Sequence, residues 1–392
     1  MLKMYFNFKD VFRAARLGFS PKKIWAFFCG LALGLAIYNL FSYLSHAAAG
    51  RSLAETWAMF GLLPLPWSDF GFGAWALWFL GAAGLGVVYM LTSAVVARIT
   101  AEQLSGNEFY EIREAAAFVK QGWKAVLGAP LVIVTFIAFL VLGGLVLGLW
   151  GRIPYLGELT VSALALPIYL VCLFIVFLLA ALMVALFYSP IVAGAAKSDT
   201  FDNLFEIFSA MTSQPWRLVV YSGLLKLVVL LSFGVFVWFS HHAVMISYKL
   251  MGVFMGERFM DLAAAAFNLY TPPMVLNIML GAMQGWGFDQ GLYLLNTPDL
   301  NWSGHVSAFL MGMSLNLVRL LVLSYAAAAT VVGQTIIYGI IVMKRDDRNI
   351  FERQEEKETE VCPPAAEEEK EHKVVKLVKK AAAAKKPVKA KK

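Results

Sequence analysis

Leu170-Val171-Cys172-Leu173-Phe174-Ile175-Val176-Phe177-Leu178-Leu179-Ala180-Ala181-Leu182-Met183-Val184-Ala185-Leu186 holds no charged side chain and no amide, carboxyl or hydroxyl group. A half-buried strand would alternate apolar and polar residues, and this stretch does not. Counted from about 160 to 189, the run exceeds the roughly 20 apolar residues that cross a bilayer. Backbone polar groups in hydrocarbon must be satisfied within the segment, so the run reads as a transmembrane helix. Working outward, five more runs have the same character: about 24–44, 74–97, 125–150, 218–240 and 318–343.

The composition agrees. Of 392 residues, 60% are hydrophobic and only 15% charged, many of those in the last 49 positions, and the mean hydropathy is +0.68. A soluble domain is nearer 45–50% apolar with a quarter charged. The expected fold class is all-α, a polytopic transmembrane bundle of six spans over 1–343, followed by a disordered charged tail over 344–392. The first run is long for a signal peptide, and although Ala47-Ala48-Ala49 resembles a cleavage site, it reads as an uncleaved helix. The net charge of +7 does not call for nucleic acid. It suits orientation and contact with anionic lipid headgroups.

Cationic residues crowd alternate connections: Lys3, Lys9, Arg13, Arg16, Lys22 and Lys23 at the start; Arg98, Arg113, Lys120 and Lys124; Lys197 and Arg217; Lys344, Arg345 and Arg348. The intervening connections carry Arg51, Arg152, Lys249 and Arg258. This bias predicts a multi-pass protein of the inner (cytoplasmic) membrane with both termini cytoplasmic.

A motif recurs three times on that basic side. Phe8, Val11, Phe12, Ala15 and Phe19 mark a helical face, Ser20-Pro21 breaks it, and Trp25 opens a span. Phe109, Ile112, Ala116 and Val119 are followed by Gln121-Gly122 and Trp123. Phe201, Leu204, Phe205, Phe208 and Met211 are followed by Gln214-Pro215 and Trp216, with Ser198 or Asp199 as the N-cap. An apolar stripe opposite charge lets a helix lie at the headgroups, Pro or Gly permits the turn, and Trp anchors at the interface. The chain thus reads as three hairpins, each preceded by a cytoplasmic interfacial amphipathic helix, with Trp25, Trp123 and Trp216 as anchors.

Few groups offer chemistry. Lys226 and Arg319 are the ionisable residues within spans and therefore candidate functional positions. Lys226, about 12 Å into its helix at 1.5 Å per residue, either snorkels to the headgroups or pairs inside. Arg319 reads as an interfacial anchor. Asn316, Ser324, Thr330, Gln334 and Thr335 with Ala326 to Ala329 suggest a close-packed face with hydrogen bonds between helices. Gly30/Gly34 and Gly144/Gly148 fit GxxxG. Cys29, Cys172 and Cys362 form no CxxC pair. Residues 241–315 form a long outer-face amphipathic segment containing His241, His242 and His305, with no HExxH spacing. No catalytic, metal or cofactor residue is expected. From Lys373 to Lys392 the tail carries nine lysines.

The run Phe201 to Tyr221, and the opening Lys9-Asp10-Val11-Phe12-Arg13-Ala14-Ala15-Arg16 with Ser20-Pro21-Lys22-Lys23-Ile24-Trp25, resemble uncharacterised bacterial polytopic membrane proteins. These are distantly similar to the membrane domain joined to some glycerophosphodiester phosphodiesterases. The resemblance implies the layout of residues 8–343 and no catalytic residues, and it does not imply the phosphodiesterase activity. Three functions are open at this point: a non-enzymatic scaffold or subunit of a membrane complex, a permease or channel subunit of a transporter, and an intramembrane lipid-acting enzyme. The first is favoured. Expected partners are the bilayer, anionic lipid headgroups and proteins of a membrane complex. For the second, Glu114-Ala115-Ala116 resembles the start of the motif by which ABC permeases dock an ATPase.

Overall fold

The computed structural model describes residues 4–196, 198–270 and 300–352. Among the described residues there are thirteen helices and no strand. In chain order they are α1 (Phe8–Val11), α2 (Arg13–Gly18), α3 (Pro21–Ala48), α4 (Leu53–Phe60), α5 (Phe72–Leu104), α6 (Ile112–Gln121), α7 (Trp123–Trp150), α8 (Leu156–Ala163), α9 (Ala165–Ala196), α10 (Thr200–Ser213), α11 (Pro215–Met255), α12 (Glu257–Tyr270) and α13 (Trp302–Asp346). Six of them, α3, α5, α7, α9, α11 and α13, are long and apolar enough to cross a membrane. The chain is an all-α multi-pass membrane protein.

The six pair as three antiparallel hairpins, α3 with α5, α7 with α9, and α11 with α13. The breaks fall where the sequence places them: Pro21 and Pro215 open α3 and α11 at the first helical turn, and Gly122 separates α6 from α7. Proline tolerates that position because its missing N–H would have no intrahelical partner. Asp199 is the N-cap of α10, without a side-chain cap bond.

The last stretch of α13 is the axis of the core. From Val331 to Val342 every residue is buried except Gln334, which is partly so. Helices α2, α3, α5, α9 and α11 surround it. A helix that is apolar all round is stable only when covered all round. A Cβ on Gly333 would collide with Leu225, and one on Gly339 with Phe351, which folds back over the helix end. Packing therefore continues past residue 343 to Phe351, because Phe351 fills the space that Gly339 leaves.

Two expectations are corrected here. The fifth helix does not stop at residue 240, nor does the sixth start at residue 318. Helix α11 continues to Met255, and α13 already begins at Trp302. His241 and His242 are thus helical residues of α11, and Lys249 also lies in it, since a helix satisfies its own backbone whatever its side chains. Much of the segment read as a separate outer layer is helix extension plus α12; residues 271–299 lie outside the described residues. The short hydroxyls expected to bond between helices stay within α13. Ser324, Thr330 and Thr335 each donate to the carbonyl four residues back, at 2.6, 2.7 and 2.8 Å, the nearest acceptor for a short hydroxyl side chain on a helix.

The interfacial helices are also only half what the stripe suggests. In α2 and α10 the faces turned into the protein are Ala14/Gly18 and Asn203/Ile207/Ala210, while Phe12, Phe201 and Phe205 stay exposed. In α6 it is Ala115 and Val119 that are buried, and Phe109 and Ala116 that are not. Each of these helices shares its apolar surface between the bundle and the surroundings.

Candidate headgroup-level site

The basic end of the bundle is organised around the N-terminal segment. Asn7 caps α1 by accepting from the Lys9 amide at 3.0 Å. Asp10 is fully buried; it accepts from the Tyr5 amide at 2.8 Å and pairs with Arg13 at 3.2 Å. The Arg13 guanidinium lies 5.3 Å from the centre of the Tyr5 ring. This interlocking holds α2 against α13 so closely that a Cβ on Gly18 would fall 2.6 Å from the Ala329 backbone. Phe19 then meets Tyr325 and Phe236 edge to face, at 5.4 and 5.6 Å between ring centres.

Between α2, the start of α3 and the end of α5 lies a cavity of about 480 Å³. Asp10, Arg13, Arg16, Ser20, Gln103 and Glu108 line its polar side, and Leu17, Phe19, Leu104 and Ile336 its apolar side. Behind it sits Lys23, which has no exposed surface. Its Nζ donates to Gln103 Oε1 at 2.8 Å and to the Leu17 carbonyl at 3.1 Å. Both acceptors are neutral, and among the described residues no carboxylate forms an ion pair with it. Its neighbour Lys22 points the other way and donates to the Glu108 carbonyl at 3.4 Å.

Two further cation clusters brace the same end. Arg98 of α5 pairs with Glu102 and faces the rings of Tyr110 and Phe118, 5.7 and 4.6 Å away, tying α6 to α5. Arg345, at the end of α13, pairs with Glu206 at 2.9 Å, donates to Ser209 at 2.9 Å and also pairs with Asp346. It closes α13 onto α10 beside a second cavity lined by Asp202 and Arg348.

The residues singled out from sequence are scattered. Trp25, Trp123 and Trp216 are exposed at the openings of their spans; Trp25 stacks on Phe28 at 5.3 Å, and Arg217 lies over Trp216 at 5.0 Å. Lys226 is exposed. Arg319 is partly buried, bonds Asn316 at 3.1 Å and lies 5.1 Å from the Phe267 ring of α12. No site gathers these five. Lys23, read as one more flanking cation, is instead buried. No sequence signal separates it from Lys22, because the direction of each depends on how α3 crosses α5. Among the described residues no group of three His, Cys, Asp or Glu could hold a metal ion. His241 and His242 have ring centres 5.7 Å apart, and His242 Nδ1 lies 2.8 Å from the Trp238 carbonyl of its own helix.

The two GxxxG pairs have different fates. A Cβ on Gly30 would collide with Thr92, and one on Gly34 would fall 2.8 Å from Leu85, so the first pair is the seam between α3 and α5. At Gly143, Gly144 and Gly148 an added Cβ would meet nothing within 4 Å among the described residues. The buried residues of α7 are Val126, Ala129, Pro130 and Ile133, all in its first half, and every residue from Val141 to Trp150 is exposed. Comparison with protein families, curated proteins and solved structures finds no match for this chain.

Proposed function

We propose that the chain is a non-enzymatic subunit of an inner-membrane complex, with its basic end and both termini cytoplasmic. The outer part of α7 receives a transmembrane helix of a partner protein. The observation that carries this reading is the uncovered length of α7. Ten consecutive residues have no buried face, and an added Cβ on three glycines among them would touch nothing among the described residues. Glycine in a helix interior costs about 0.5–1 kcal/mol relative to alanine, and the described residues offer no packing in return. Small residues let helix backbones approach in lipid, where association depends on close van der Waals contact. The same spacing at Gly30 and Gly34 does serve a helix within the chain, which is the comparison that gives the second pair its weight. The cationic bias of alternate connections supports the orientation.

A photo-crosslinking residue at Leu147, in cells expressing the full chain, tests this. The expected result is a protein adduct of one reproducible mass, lost when Gly144→Ile and Gly148→Ile are introduced together while the chain still folds. Adducts to lipid alone, from a chain that migrates as a single copy in mild detergent, would sink the reading.

A further inference from the structure

We propose that the far end of α3 carries an acid-released latch: neutral His46 holds the connection 61–70 shut over the helix, and protonation of His46 lets it open. His46 lies in the last turn of α3 and has no exposed surface. Its Nε2 lies 3.0 Å from the Leu65 carbonyl. A carbonyl only accepts, so Nε2 carries the hydrogen and donates. Nδ1 is then a bare lone pair; it is buried, and among the described residues it has no hydrogen-bond partner. A second proton would create a buried charge and a buried N–H with nothing to receive it, which is costly. The dipole at the C-terminus of α3 favours a cation, but it gives Nδ1 no acceptor.

The ring is the centre of a closed cap. Phe60 and Phe70 cover it, with ring centres 5.1 and 4.8 Å away, and each is only 7% exposed. Gly61, at φ 57°, turns the chain back after α4, an angle that glycine adopts without strain. Tyr43 donates to the Gly61 carbonyl at 2.5 Å, and Tyr38 and Ser42 both donate to the Pro64 carbonyl, at 2.7 and 2.8 Å. Of the four side chains that grip the connection, only His46 is of a type that changes charge between about pH 5 and 8. The other charged groups from 38 to 78 are Arg51, Glu55 and Asp69. Arg51 acts electrostatically on the His46 ring and faces Trp67 at 4.7 Å, with the exposed Asp69 4.0 Å away. Glu55 accepts from the Ser52 amide at the start of α4. Among the described residues no carboxylate pairs with His46, so a protonated ring would meet a like charge and no counter-ion.

Once released, the imidazole is an ordinary one that takes up its proton at about pH 6.5. The open form binds one proton more than the closed form. The open-to-closed ratio therefore rises as the pH falls below that value, by up to about tenfold per pH unit, and the cap stays shut at neutral pH and above. Opening uncovers Phe60 and Phe70, an aromatic surface that the neutral form hides. The latch depends neither on the partner at α7 nor on which side of the membrane faces the cytoplasm.

Hydroxyl-radical footprinting of the full-length chain in mild detergent, between about pH 7.5 and about pH 5, tests the latch. Labelling of Phe60 and Phe70 should rise about threefold or more on acidification and reverse on return, while that of Phe109, exposed at the basic end, stays constant. His46→Gln keeps a donor for the Leu65 carbonyl and cannot take up a proton, so its labelling should be the same at both ends of the range. Glu55→Gln and Asp69→Asn should behave as wild type. Constant labelling of Phe60 and Phe70 in the wild type, an acid rise that survives in His46→Gln, or one abolished by either carboxylate variant would each overturn the proposal. Where His46→Gln does not fold, the wild-type titration and the carboxylate variants still decide. The readout is solvent access to two rings, so it stays separate from the protein adduct at Leu147.

Discussion

The hydroxyl of Ser189 in α9 donates to the carbonyl of Val126 in α7 across 2.6 Å. That carbonyl needs an outside donor because Pro130, four residues on, has no N–H to give it. Asn203 of α10 completes the junction. Its amide reaches the Ala125 carbonyl at 2.8 Å, Ser189 Oγ at 2.9 Å and the Ser189 carbonyl at 3.2 Å. Three helices are thus joined where one proline opens a gap in a backbone ladder.

Ser189→Ala should therefore cost about 1–3 kcal/mol, the range for leaving a buried acceptor unsatisfied. Pro130→Ala restores the missing donor, so the double variant should lose clearly less than the sum of the two single changes. Thermal melts in one detergent read the cycle. Strict additivity would mean that the two residues are not coupled through the Val126 carbonyl.

The Arg345–Glu206 pair should hold α13 to α10. Both side chains are largely covered, 15% and 22% exposed. Arg345→Met should destabilise by about 1–2 kcal/mol, below the value for a fully buried pair because some solvent remains. Glu206→Gln should cost less, since Asp346 still pairs with Arg345. A cysteine placed on α10 should become more accessible in Arg345→Met, and unchanged labelling would show that the pair does not fasten the helix.

The two glycine seams should respond oppositely. Gly30→Val meets Thr92 and should lower the melting temperature by several degrees, or abolish folding, since overpacking costs about 1–3 kcal/mol or more. Gly148→Val meets open space and should leave the melt of the isolated chain within about 0.5 kcal/mol. Equal destabilisation would mean that α7 has a covering within the chain.

Cys29 and Cys172 are both exposed at the protein surface yet lie in apolar runs. In intact membranes a charged maleimide should label neither, whereas a small apolar maleimide should label both. Reaction of Cys172 with the charged reagent would place α9 in water and contradict the six-span arrangement.

The number and type of the long helices, their turning points at Ser20-Pro21, Gln121-Gly122 and Gln214-Pro215, and the exposed tryptophans beside them were legible in the sequence. Long apolar runs, proline, glycine and charge act through local physics: backbone satisfaction in lipid, fixed φ, and the free energy of leaving water. The elbow cavity was not legible. Lys22 and Lys23 are chemically identical neighbours, and only the crossing of α3 over α5 buries one and exposes the other. Gly30 and Gly144 stand in the same motif, and only the packed bundle fills one seam and leaves the other open. The ends of α11 and α13 were misjudged because hydropathy reports where lipid would be comfortable, whereas a helix continues for as long as its own hydrogen bonds do. Tertiary structure alone decided these points, because each depends on which residues distant in sequence arrive at the same place.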